Sequence, residues 1–356
     1  MAARFAAVFA ILALCASFSA RADAQIDMPT PIAQLQAALA NVPNYAPGHV
    51  ALEIKDLATG YTSGVNANAV MPAASTIKIP IMVEVFKQME NGKFDLNRRV
   101  HLEAGDRDWG SGDIADAPAG SGFTVSYLLA KMITVSDNTA ANMLIRLVGR
   151  TNINATMKDL GLHHTHLADY IRTAEWGVRR TLRTTPSDMV RLLSDMAKQQ
   201  LIDQWASNKM ISILEGQQIN TLLPVPLPPD VLIAHKTGSF NDTLNDVGIV
   251  YGPEPYVIAV MTTDLPSLDS GRSFIRHISK MAFNRMEQLA QWRLANGSAS
   301  PLSADATNAS QAAPPAPAAN SASADGAADD ESGDVPMWGA STAASPAPAP
   351  TATPKR

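Results

Sequence analysis

Apolar and polar positions alternate over 49–57 in β-forming residues, and Ala58-Thr59-Gly60 marks a turn into a second strand. Ahead of them, Thr30-Pro31 opens a short helix to about Leu39, with Thr30 as the cap and proline in the first turn. From Ser75 the period lengthens. Ile79, Met82, Val83, Val85 and Phe86 predict a helix buried on most sides. A loop rich in Gly and Asp covers 105–122. Helical patterns follow at 125–134, 139–148, 152–160 and 187–198, with a fifth over 203–216. After a proline-rich turn at 224–229 the character returns to β, at 231–236, 246–251 and 256–263. An amphipathic helix over about 271–294 closes the run. Strands at both ends with helices between them predict a sheet lobe from about 25–74 and 219–297, and a helical lobe inserted over about 75–218. No internal repeat is visible.

Neither end fits this pattern. Arg4, the apolar stretch 5–18 and Ala22-Asp23-Ala24 predict a secretory signal over 1–24. The apolar stretch is shorter than the ~20 residues that span a bilayer, although a retained anchor is the alternative. The single cysteine, Cys15, lies inside this segment, with Leu14 where a lipoprotein would want a small residue. The mature chain then has no disulfide, cysteine nucleophile or thiolate metal site. Over 298–356 the composition shifts to Ala, Pro and Ser, which predicts a disordered tail. A periplasmic or secreted chain is expected, with one catalytic domain over 25–297.

Composition narrows the partners. Of the 356 residues, 28 are Lys or Arg and 33 are Asp or Glu, a formal charge of −5, and no basic cluster stands out. That excludes nucleic acid as the expected partner.

Three short motifs carry the candidate chemistry. Ser75-Thr76-Ile77-Lys78 puts a lysine about one helical turn from a serine hydroxyl, where a lysine of lowered pKa can accept the serine proton. By itself the motif also reads as a capped helix with a solvated lysine. Ser136-Asp137-Asn138 sits between two helical patterns; it is either a plain helix cap or a proton relay beside an amide donor. Lys236-Thr237-Gly238 ends a predicted strand, where a lysine charge and a glycine suit close approach of a ligand, or a simple strand-end turn.

The three motifs in this order resemble the class A serine β-lactamase and penicillin-binding-protein superfamily, whose signature is S-x-x-K, S-D-N and K-T-G. The resemblance covers almost all of residues 30–295, including Thr184-Thr185-Pro186 at the start of a helix. It implies an α+β sandwich: an antiparallel sheet flanked by helices, with an all-helical lobe inserted. It implies that Ser75 is acylated, that Lys78 activates it, and that Ser136 shuttles a proton with help from Lys236. Asn138, Thr237 and Ser239 would bind substrate, and the N–H groups of Ser75 and Ser239 would form an oxyanion hole. The implied reaction is opening of a β-lactam ring through an acyl-Ser75 intermediate, on a small β-lactam or peptidoglycan-derived substrate. The alternatives are a D-alanyl-D-alanine peptidase or esterase of the same superfamily, or a sensor that is acylated by β-lactams without turnover. The implied enzyme is a monomer that uses no cofactor and no metal.

The sequence departs from that family in two places. No E-x-x-L-N motif supplies a deacylating glutamate; Glu175 is the only glutamate of the corresponding loop, and Asp169 is the alternative base. Asp246-Val247-Gly248 also lacks the arginine that many relatives use for the substrate carboxylate, leaving Arg272 or the hydroxyls of Thr237 and Ser239. Trp109 falls where the family places a rim aromatic. His163, His164 and His166 with Asp169 look like a metal cluster, but no matching ligand pattern recurs, so they read as surface residues.

Overall fold

The computed structural model describes residues 28–173 and 182–297. The expected signal segment, the tail and Glu175 lie outside the described residues. The front of the chain gives α1 (Thr30–Ala40), β1 (His49–Asp56) and β2 (Thr62–Val65). The middle begins with β3 (Met71–Pro72), α2 (Lys78–Glu90), β4 (Arg99–His101) and β5 (Gly122–Thr124). It continues through α3 (Val125–Thr134), α4 (Asn138–Val148), α5 (Arg150–Asp159), β6 (His166–Leu167) and β7 (Leu182–Thr184). Next come α6 (Pro186–Ala197) and α7 (Gln204–Glu215), before β8 (Leu232–Phe240), β9 (Thr243–Tyr251), β10 (Tyr256–Thr263) and α8 (Leu268–Ala295).

The main sheet has the order β2-β1-β10-β9-β8, antiparallel throughout, so strands from both ends of the chain meet in its middle. Every residue of β10 is buried, as the unbroken Tyr256–Thr263 run of mostly apolar residues demands of a central strand covered on both faces. One apolar cluster joins α1 and α8 to that sheet through Ile32, Leu35, Ile258, Ile275 and Ile278. The other is built around α2 and packs Ile81, Met82, Leu128, Leu144, Leu193 and Val247 together. The inserted lobe is mainly helical, with two short sheets added, β4-β5 and β3-β7-β6.

Several boundaries differ from expectation. Pro29, not Thr30, takes the capping position of α1, and no side chain caps it; Pro31 in the first turn needs no N–H partner there. A tight turn over Ala74–Ile77 precedes α2, which begins at Lys78. The strand predicted to end at Lys236-Thr237-Gly238 continues to Phe240, because pairing with β9 extends to Phe240 opposite Thr243.

Asn245 of β9 ties the main sheet to the segment that leads into α2. Its Nδ2 donates to the carbonyls of Pro72 at 2.8 Å and Ala73 at 3.2 Å, and its Oδ1 accepts from the N–H of Thr262 at 3.0 Å. The Asn245→Ala variant removes these bonds, taking the acceptor from the Thr262 N–H and the side-chain donor from the Pro72 carbonyl, while the Ala73 carbonyl keeps Thr76. It is expected to lose about 1–3 kcal/mol of stability, read as a lower urea midpoint at unchanged m-value.

Candidate active site

Ser75 lies in the turn Ala74–Ile77, half-buried and on the wall of a cleft of about 310 Å³. The preceding Ala74 has φ of 45°, in the left-handed region that a residue with a Cβ seldom adopts. Neighbours hold the turn in place. The N–H of Ala73 donates to Leu182 at 2.9 Å, and Thr76 Oγ1 donates back to the Ala73 carbonyl at 2.7 Å. Gly238 lies close against the same turn: a Cβ there would stand 3.0 Å from the Ala73 oxygen and 3.1 Å from the Ser75 nitrogen. The close approach that glycine allows is therefore made by the chain's own backbone, where the sequence suggested a ligand.

Four of the predicted residues converge beside Ser75. Lys78 is fully buried; its Nζ donates to Ser136 Oγ at 3.0 Å, to the Ser136 carbonyl at 2.5 Å and to Asn138 Oδ1 at 2.7 Å. Lys236, also fully buried, donates from the other side to Ser136 Oγ at 3.1 Å and to the Thr237 carbonyl at 2.9 Å. One hydroxyl thus lies between two lysines. Ser136 itself has φ of 60°, a second non-glycine residue in the left-handed region. Ser75 Oγ makes no hydrogen bond among the described residues, so in this state Lys78 is engaged with Ser136 and Asn138.

Both lysines titrate far from their ordinary range. Burial pushes Lys78 well below it, and the neighbouring Lys236 adds to the fall, while Asp137 and Asp108 oppose it. Burial also lowers Lys236, to about 7, against an opposing pull from Asp246. A lysine of this kind can give up its proton near neutrality and accept another from an alcohol.

The loop before α4 is fastened by Asp137. Its carboxylate caps α4 through the N–H of Ala140 at 2.7 Å and takes the N–H groups of Asp113 and Ile114 at 2.8 and 3.0 Å. Gly112, with φ of 89°, fits because a Cβ there would overlap that carboxylate. Two polar groups here were not legible from sequence. Buried Asp108 takes Asn138 Nδ2 and the N–H of Thr173, both at 2.7 Å. Buried Asn142 clasps Ile171, accepting its N–H at 2.8 Å and donating to its carbonyl at 3.0 Å. Only their place in a Gly/Asp loop and on a buried helix face hinted at either.

Thr237 and Ser239 line the cleft with Ser75, Ser136 and Asn138, and Arg272 stands at its edge in an ion pair with Asp269. Lys236 meets the cleft through Ser136. On the loop side the described lining is Ile171, Thr173 and Leu182. Asp169 does not join them. It is exposed, 3.4 Å from Arg150, and outside the described lining. Trp109 is 68% exposed, with its Nε1 donating to Asp116 at 3.2 Å. His163, His164 and His166 are exposed, and among the described residues no group of three or more His, Cys, Asp or Glu is placed to hold a metal ion.

Comparison with known proteins places this geometry in context. Residues 34–286 match the model of the beta-lactamase enzyme family. A beta-lactamase of Streptomyces fradiae is 31% identical over 222 residues, 58% of this chain and 71% of that protein. Among solved structures, the beta-lactamase from Sphaerobacter thermophilus is 29% identical at a TM-score of 0.66, covering 72% of this chain and 98% of its own. A variant of PBP-A, solved as an acyl-enzyme complex with penicillin G, is 28% identical at a TM-score of 0.66, covering 72% of this chain and 96% of its own.

The buried lysines also set a stability profile. Between about 7 and the usual lysine range, the unfolded chain carries a proton at Lys236 that the folded chain lacks. Unfolding free energy should therefore rise with pH across that window, by up to about 1.4 kcal/mol per unit from this group, with Lys78 acting in the same direction. Urea unfolding at pH 7, 8 and 9 is expected to show the rise, and Lys236→Met to flatten it.

Proposed function

Since the chain belongs to the beta-lactamase enzyme family, we propose that it is a periplasmic or secreted serine hydrolase that opens β-lactam rings through an ester on Ser75. The observation that carries this reading is the pair of buried lysines on either side of Ser136 Oγ, next to Ser75 in the cleft. In the first step the Ser75 oxygen attacks the ring carbonyl, and its proton goes to neutral Lys78, directly or by way of Ser136. Charge on the carbonyl oxygen falls to the N–H groups of Ser75 and Ser239. The C–N bond then breaks, and Ser136 delivers a proton to the leaving nitrogen while Lys78 reprotonates it. Arg272, already at the cleft edge, takes the substrate carboxylate together with the hydroxyls of Thr237 and Ser239. The acyl-enzyme seen in the PBP-A variant with penicillin G supports the same first step here.

Release of the ester needs a water and a base, and Glu175 is assigned that base. One observation favours a second reading, a protein that is acylated and then holds its ligand. The described loop wall of the cleft is Ile171, Thr173 and Leu182, while Asp169 faces solvent and Arg150.

A chromogenic cephalosporin and intact-protein mass spectra separate the readings. Hydrolysis in the wild type that vanishes in Ser75→Ala, by at least about 10³-fold, is the expected result. A stable adduct on Ser75 without turnover would instead favour the ligand-holding protein. Release of D-Ala from a muropeptide without β-lactam turnover would favour a peptidase. Glu175→Gln is expected to accumulate acyl-enzyme, and unchanged steady-state rates would move the base elsewhere. Asp169→Asn is expected to leave those rates unchanged.

A further inference from the structure

Asp108 is a carboxylate only 6% exposed, and the acylation steps above give it no task. It accepts from Asn138 Nδ2 at 2.7 Å, from the N–H of Thr173 at 2.7 Å, from the Thr173 hydroxyl at 2.8 Å and from the N–H of Gly110 at 3.0 Å. Burial pushes its pKa up, but these hydrogen bonds outweigh burial and hold the carboxyl below its usual range. A carboxylate so held offers acceptors and no proton. It also binds protons poorly, which suits orientation better than proton transfer.

Asn138 is the group that needs orienting. Its amide has one accepting end and one donating end of nearly equal size. The accepting end, Oδ1, faces Lys78 Nζ at 2.7 Å; the donating end, Nδ2, faces Asp108. Exchanging the two would set an oxygen against the carboxylate and N–H groups against the lysine. One Nδ2 hydrogen is spent on Asp108, and the second remains for the cleft that Asn138 lines.

We propose that Asp108 is a positioning residue that locks the Asn138 amide in one orientation, so that its oxygen supports Lys78 and its free N–H meets the acylamide side chain of the substrate. This role rests on the acylation reading above. It also gives Lys78 a fixed negative neighbour. The charged groups acting on Lys78 are Lys236 of β8, Asp137 ahead of α4, and Asp108. Removing the Asp108 charge lowers the Lys78 pKa further, so the acid limb of the acylation rate moves to lower pH.

The full chain is tested by the rate of adduct formation on Ser75, with penicillin G and with 6-aminopenicillanic acid, which lacks the acylamide. Asp108→Ala is expected to slow penicillin G by about ten-fold or more and 6-aminopenicillanic acid by clearly less. In Asp108→Asn the carbonyl still accepts from Asn138. That variant is expected to keep the wild-type preference between the substrates while its acid limb shifts to lower pH. Equal losses on both substrates with an unmoved limb in both variants would reduce Asp108 to a structural brace and overturn the proposal. A nitrogen-15 spectrum of the free protein gives a readout independent of catalysis: the Asn138 side-chain amide should show a strongly hydrogen-bonded proton that disappears in Asp108→Ala. An unaltered signal would also overturn the proposal. A wild type that forms no adduct would sink the acylation reading, and the amide signal would then judge Asp108 by itself.

Discussion

The site depends on keeping two lysines out of water within reach of one hydroxyl. Ser136 Oγ lies 3.0 Å from Lys78 Nζ and 3.1 Å from Lys236 Nζ, and neither lysine is exposed. Two like charges in such surroundings oppose each other and lose their hydration, so the arrangement is costly unless the proton is readily shed. The fold meets that cost by distributing it. Lys78 enters from the first turn of a helix surrounded by apolar side chains, Lys236 from a strand, and Ser136 from a loop fastened by Asp137. No one of these elements could hold the cluster alone.

The same division explains which features were legible in the chain. Period and β-branching gave β10 at 256–263 and α3 at 125–134 with their observed bounds, since both are local patterns set against a buried face. The three motifs were legible for a different reason. Each compresses a chemical requirement into three or four neighbouring residues, and the structure brings all three to one cleft. Gly238 was legible as a point of close approach, and the backbone at Ser75 lies against it.

What escaped the sequence was long-range and polar. Asp108 and Asn142 look like ordinary polar residues until Asn138, Thr173 and Ile171 are brought beside them by the fold. The reach of β8 past the Lys-Thr-Gly motif also depends on a partner strand, because pairing with β9 carries it to Phe240. Asp169, the alternative base, has its carboxylate toward Arg150 and solvent, a placement that no local pattern records.

The sheet order has a consequence for how the molecule is made. β1 is pinned between β2 and β10, so its second neighbour is synthesised some two hundred positions after it. Until β10 emerges, the main sheet exists only as two separate ribbons, β1-β2 and β8-β9, and a two-stranded ribbon is marginal in water. Helices can form early, yet the surface that α1 and α8 cover does not exist until β10 has been made. A nascent chain built this way stays open for most of its elongation, and its final compaction is a late event in which the first strand made waits for the last.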